Sequence, residues 1–154
     1  MRADGMAVWL DPVPIRDTAA GKRLRVRVAA DCPASDEGVV GVTNPGTDLV
    51  HALLPAGRPW SGLTCTYYGM NGGPFRLHSQ QRLSAARAAR LAALMSPTPT
   101  SHPVGAVYMC PVDDGSAELI ALSYSGRADV DLWVYLNGCG GVTNGYIEAG
   151  NLLR

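Results

Sequence analysis

The chain has 154 residues, 47% of them hydrophobic and 17% charged, and its 13 Lys+Arg balance 13 Asp+Glu to a formal net charge of zero. A neutral balance argues against a nucleic-acid protein, whose basic footprint would show in the sum, and the hydrophobic content argues against a long disordered chain. No apolar run reaches the roughly 20 residues that a membrane-spanning helix needs, and the length suits one domain with a single core. Lys22 is the only lysine. The arginines are spread along the chain, which reads as codon usage of a GC-rich genome and not as a binding surface.

Residues 1–21, with Pro12, Pro14 and Gly21 and no sustained periodicity, read as an irregular N-terminal lead-in; 22–154 read as a single disulfide-stabilised α+β domain. A secretory leader needs an apolar stretch of roughly 7–15 residues, but the run from Met6 to Leu10 ends at Asp11-Pro12. No signal peptide is therefore expected within these residues, and an exported protein would have had it removed, omitted or lost to a wrongly chosen start codon. From Lys22 to Ala30, Leu24, Val26 and Val28 alternate with Arg23, Arg25 and Arg27, which predicts a strand with one wet face. A connection rich in Gly, Pro, Asn and Asp follows and ends at Pro55-Ala56-Gly57-Arg58-Pro59.

Gly62 to Gly69 is β-branched and aromatic, with Leu63, Cys65 and Tyr67 on one side, and predicts a second strand. Ser79 to Met95 reads as the one helix, N-capped by Ser79 and stopped by Pro97, with Leu83, Ala88, Leu91, Leu94 and Met95 as its apolar stripe. Three strand-like runs follow: Ala106 to Cys110, Ala117 to Ser125 and Ala128 to Leu136. They are joined by turns at Asp113-Asp114-Gly115-Ser116 and Ser125-Gly126-Arg127. In the last run Val130, Leu132, Val134 and Leu136 are expected to face in, and Asp131, Trp133 and Tyr135 out. Asn144-Gly145 predicts a further small hairpin. The order gives an antiparallel meander of about five strands with one helix packed on a face, an α+β fold.

Cys32, Cys65, Cys110 and Cys139 are far apart and form no Cys-x-x-Cys. Such spacing suits disulfides and disfavours zinc, which expects close ligand pairs; four buried thiols in a reducing compartment are the other reading. Disulfides imply export. In an up-down-up meander the ends of the first and third strands reach the same sheet edge, two strand spacings or about 9.5 Å apart. That exceeds the roughly 7 Å Cα limit for a bridge, but Cys139 lies past the strand in Gly138-Cys139-Gly140-Gly141 and can bend inward. Cys110–Cys139 is therefore the preferred pair, which leaves Cys32–Cys65 and makes two disulfides.

The chain has no Gly-x-Ser-x-Gly elbow and no His-Glu-x-x-His, and Gly138-Cys139-Gly140 lacks the third glycine and the helix of a dinucleotide loop. His51, His78 and His102 have no companion motif, and Asp113-Asp114 reads as turn chemistry more readily than as an acid/base pair. No catalytic residue, metal site or cofactor is expected. The binding candidates are the outward face Asp131, Trp133 and Tyr135, and the segment Met109-Cys110-Pro111-Val112-Asp113, stiffened by its proline and tethered by its cysteine. A pre-stiffened segment loses little entropy on binding, as a substrate-like inhibitor must.

The succession Ala30-Asp31-Cys32-Pro33, Leu63-Thr64-Cys65-Thr66-Tyr67, the Ala/Arg/Leu helix, Met109-Cys110-Pro111 and Leu136-Asn137-Gly138-Cys139-Gly140 resembles uncharacterised exported or lipoprotein-type four-cysteine domains of actinobacteria. The second half also looks distantly like the bacterial subtilisin-inhibitor family. That resemblance places Met109, Pro111, Val112 and Asp113 in a reactive loop, with Val112 beside the bond a protease would face. The chain departs from the family in lacking a cysteine shortly after Cys65 and in carrying Asp113-Asp114 after Val112. The expectation is an extracytoplasmic, non-enzymatic domain, secreted or at the cell surface, that binds a protein or small ligand. A serine-protease inhibitor is the alternative, and neither a nucleic-acid partner nor a membrane span is expected.

Overall fold

The computed structural model of the chain describes residues 24–36, 41–46, 48–70, 75–95, 114–138 and 140–150, with the backbone of 3–4, 7–8 and 101–103. Two short strands in the lead-in, β1 (Ala3–Asp4) and β2 (Ala7–Val8), pair antiparallel with each other. The main sheet contains β3 (Ser61–Tyr67), β4 (Leu77–Leu83), β5 (Ser101–Pro103), β6 (Ala117–Ser123), β7 (Val130–Tyr135), β8 (Gly141–Thr143) and β9 (Ile147–Ala149). Every pairing in it is antiparallel, in the order β4-β3-β6-β7-β8-β9-β5. The helix α1 (Ala85–Met95) packs on one face. The fold is α+β, with more strands than the five expected. The predicted strand at 106–110, and Cys110 and Cys139 with their predicted bridge, lie outside the described residues.

The central strands β3, β6 and β7 are covered on both faces, while the edge strand β4 is exposed. Register makes this possible, because alternate residues of a strand point to opposite sides. Ile120, Leu122, Val130, Leu132 and Val134 turn toward α1 and the segment 48–54, where they meet Ala88, Ala92, Met95, Leu49 and Leu53. Leu63, Cys65, Tyr67, Leu119, Ala121 and Trp133 turn the other way and are covered by Val26, Val28, Cys32 and Val42. Strands buried on both sides lose the apolar/polar alternation of a half-wet sheet, which is why β6, Ala-Glu-Leu-Ile-Ala-Leu-Ser, is nearly continuous in small and apolar residues.

The second layer is not a regular strand. Val26 and Val28 are buried, as their alternation with arginines implied. However, among the described residues the layer makes only isolated bridges, a parallel one from Leu24 to Val42 and an antiparallel one from Ser35 to Arg76. Its amides bond to side chains instead: Val26 N–H donates to Asp131 Oδ2 at 2.8 Å and Val28 N–H to Asp129 Oδ2 at 2.7 Å. The segment thus satisfies its buried donors without joining a ladder. Farther along, the Cys32–Cys65 disulfide ties it to β3, with Cα atoms 5.7 Å apart.

The helix is shorter than predicted. Ser79 to Leu83 belong to β4, paired with β3 from Gly62↔Leu83 to Thr66↔Ser79. Helix propensity in Gln and Arg is worth only tenths of a kcal/mol per residue over average residues, whereas an unpaired β3 would leave a buried strand's backbone groups without partners. Ser84, not Ser79, caps the helix: its Oγ accepts the Arg87 N–H at 3.4 Å and its carbonyl the Ala88 N–H at 2.9 Å. Ala88, Ala92 and Met95 form the buried stripe, while Leu94, expected within it, is 58% exposed.

The hairpin turn at Asn144 joins the layers. The Asn144 side-chain amide donates to the carbonyls of Leu49 (2.9 Å), Ala52 (2.8 Å) and Leu53 (3.3 Å) on the helix side. Its Oδ1 accepts the N–H groups of Tyr146 and Ile147. From the other layer, Asn44 donates to the Asn144 carbonyl and to the Asp131 carbonyl, each at 2.8 Å, and Tyr146 Oη donates to the carbonyls of Asn44 and Gly46. Gly145 permits the approach: at φ +92° a Cβ there would sit 2.5 Å from the Val42 carbonyl oxygen.

Candidate functional site

The register Tyr67↔Ala117↔Tyr135 brings three strand ends together. Beyond them lie Tyr68 to Met70, Asp114 to Ser116, and Leu136 with Asn137. Asp114 sits at the centre. Its N–H donates to Asn137 Oδ1 at 3.3 Å, its carbonyl accepts the Met70 N–H at 2.7 Å, and its Oδ1 accepts the Ser116 N–H at 2.9 Å and an N–H of the Asn137 side-chain amide. Leu136 N–H closes the group on the Ser116 carbonyl at 3.2 Å. The backbone at 114 is thereby clasped from two sides. The donors from Ser116, then Asn137, hold the Asp114 carboxyl below the usual carboxylate range.

Gly69 is what lets the clasp close. A Cβ at that position would lie 2.3 Å from the Asp114 carbonyl oxygen and 2.6 Å from its Cγ. Gly69→Ala should therefore force the two segments apart and cost about 1–3 kcal/mol, the range for overpacking a fitted contact. Urea unfolding measures the loss, and the amide resonance of Ser116 reports the displaced clasp; an unchanged Ser116 signal would mean that the contact is not tight.

Around this fixed backbone the surface is apolar. Met70 is 62% exposed, Leu136 45% and Tyr68 36%. Exposed His78 accompanies them: its Nδ1 lies 2.5 Å from Tyr68 Oη, and the two rings are 4.5 Å apart at their centroids. A tyrosine with its hydroxyl engaged and its ring outward offers contact area at a small entropy cost.

The residues expected at binding sites lie elsewhere. Asp131 and Trp133, predicted to face outward, are 0% and 3% exposed, and Tyr135 is half-buried. The prediction assumes a sheet with one wet face, whereas Leu24, Val26, Val28, Cys32 and Val42 cover this one. Met109, Cys110, Pro111, Val112 and Asp113 lie outside the described residues, although Asp114, directly after them, is the clasped residue. The sequence marks a turn at Asp113-Asp114-Gly115-Ser116 but not the partners of Asp114, since neither Gly69 nor Asn137 announces a contact with it. Of the histidines, His51 and His78 are exposed and separate; the side chain of His102 is outside the described set. Among the described residues no group of three or more His, Cys, Asp or Glu could hold a metal ion, and no helix is long and apolar enough to cross a membrane.

Asp131 is the other chemically distinctive group. Burial raises its carboxyl to about 7, opposed by the Val26 N–H and the Arg25 guanidinium. Arg25 lies 3.5 Å from Oδ2. Comparison with protein-family models, with curated proteins and with solved structures finds no match.

Proposed function

We propose that the chain is an exported or cell-surface binding domain, without catalysis of its own, that engages its partner at the Asp114 end of the sheet. The observation that carries this reading is the clasp, a backbone fixed by Asn137, Met70 and Ser116 with Tyr68, Met70 and Leu136 exposed around it. A surface ordered before contact loses little conformational entropy on association. The Cys32–Cys65 bridge supports export, because disulfides persist in oxidising compartments. His78 supports a non-catalytic role: its near ring nitrogen faces a tyrosine hydroxyl, not a nucleophile or a carboxylate.

A photo-crosslinking side chain placed at Met70 tests the surface, with Gln81 on the exposed β4 as its control. In extracytoplasmic fluid of the producing organism, a discrete adduct should form from position 70 and not from 81, and combining the probe with Leu136→Ser should abolish it. Equal labelling from the two positions would contradict the proposal.

The same clasp favours one second reading, a subtilisin-inhibitor-like protein acting through Cys110-Pro111-Val112-Asp113. An inhibitor's loop must stay put after it is bound, and Asp114, the residue that follows this segment, is anchored by its bonds to Asn137, Met70 and Ser116. Titration of subtilisin- and elastase-like proteases should then give stoichiometric inhibition; digestion of the chain would end that reading.

A further inference from the structure

The covering layer is held to the sheet by carboxylates, and the two that do this work differ. Asp129 is fully used: Oδ2 accepts Val28 N–H at 2.7 Å and Oδ1 accepts the Ser123 hydroxyl at 2.7 Å. Asp131 is not. Its side chain has 0% exposure, its Oδ2 accepts Val26 N–H, and its Oδ1 has no hydrogen-bond partner among the described residues. The charged groups facing it are Arg25 from the covering layer and Asp129, the residue just before its own strand. Arg25 is shared, since its guanidinium also donates to the Thr43 carbonyl at 3.2 Å, Asn44 Oδ1 at 2.9 Å and the Asp129 carbonyl at 3.1 Å. It is also about one third exposed, so its attraction is partly screened.

An ionised Asp131 would thus be a buried charge with one bare oxygen, a shared cation and a like charge nearby. Such a group is costly to bury unless it is paired and fully hydrogen-bonded. A neutral carboxyl costs far less in the same place, and its carbonyl oxygen still accepts the Val26 N–H. We propose that Asp131 is a proton-operated latch between the covering layer and the sheet: protonated it holds the layer down at Val26, and ionised it lets the layer loosen.

The sign follows from burial. The folded chain binds this proton more tightly than the unfolded chain, for which 3.8 is the ordinary value. The stabilisation is therefore complete below that value and is lost as pH rises through about 7. The layer is tight in mildly acidic surroundings and loose in mildly alkaline ones. Glu118 and Glu148, also raised by burial, share this direction, while Asp48 and Asp114 are lowered and act in acid. A variant at 131 separates their effects from the latch.

The test is hydrogen exchange at the Val26 amide between about pH 5 and pH 8.5, corrected for the intrinsic pH dependence of exchange, in the native chain and in Asp131→Asn. The variant keeps an acceptor for Val26 and has nothing to ionise. Protection in the native chain should fall by about tenfold or more across the range, the equivalent of at least one unit of carboxyl shift, and protection in Asp131→Asn should stay level. A level native profile, or an equal fall in the variant, would overturn the proposal. Should Asp131→Asn not fold, carbon-detected titration of the native Asp131 carboxyl decides alone: a midpoint near neutrality supports the latch, and one in the ordinary carboxylate range removes it.

Discussion

Asn144→Ala should destabilise the domain by about 3–5 kcal/mol, at the severe end for a single substitution. The side chain is fully buried and bonds in both directions, to the carbonyls of Leu49, Ala52 and Leu53 and from the N–H groups of Tyr146 and Ile147. Alanine removes every one of these partners and supplies no water to replace them. Each stranded group costs about 1–3 kcal/mol in desolvation; the shared donors keep the sum below a simple total. Asn144→Asp is the discriminating companion. It preserves the acceptor for Tyr146 and Ile147 but turns a second oxygen toward three carbonyls, so it should rescue little. Asn137 also precedes a glycine, but it is half-buried at the surface, and Asn137→Ala should leave global stability far less affected while freeing the Asp114 end. Urea unfolding of the three variants checks the ranking; equal losses at 144 and 137 would show that the layers are not joined through the hairpin turn.

The second large effect is expected from the disulfide. Replacing Cys32 and Cys65 together by alanine opens a loop of sequence separation 33. The chain-entropy account assigns such a closure about 3–4 kcal/mol, a large share of a small domain's net stability. The loss should also be local. Cys32 anchors the end of a layer whose backbone has no ladder, so the amides of Val26 and Val28 should lose protection at lower urea than those of Leu119 and Leu132 in the sheet. Coincident loss at all four amides would mean that the covering layer and the sheet unfold as one unit with or without the bridge.

The elements legible in the sequence were those with strong local signals. Leu63, Cys65 and Tyr67 alternate along β3, Val130, Leu132 and Val134 along β7, and Asn144-Gly145 marks the β8–β9 turn. Each was placed correctly. The Cys32–Cys65 pair is present as expected, although it was reached only as the pair left over once Cys110 is assigned to Cys139, two residues outside the described set. What the sequence hid were features decided by tertiary context. Ser79 to Leu83 carry helix-forming side chains, but β3 needed a partner on that edge. Leu24, Val26 and Val28 alternate with arginines like a strand, but the amides of Val26 and Val28 are met by Asp131 and Asp129, and no local pattern shows a backbone donor bonded to a carboxylate about a hundred residues away. The error at Trp133 follows directly: without that layer the aromatic would face water. At the candidate site the Asp114 turn was visible, whereas Gly69 read as the end of a strand. Only the clash that a Cβ there would make, 2.3 Å from the Asp114 carbonyl oxygen, shows why glycine is there.

The Cys32–Cys65 bridge staples the irregular layer to the sheet, and the proposed extracytoplasmic location requires that bridge to be oxidised in the cell. The most direct test is thiol trapping on the protein taken from its producing organism, followed by digestion and mass spectrometry without reductant. A linked Cys32–Cys65 peptide pair is expected in the extracytoplasmic fraction, inaccessible to alkylation until the disulfide is reduced. Cys32 and Cys65 recovered as separately alkylated thiols, or Cys65 linked to Cys110, would contradict it.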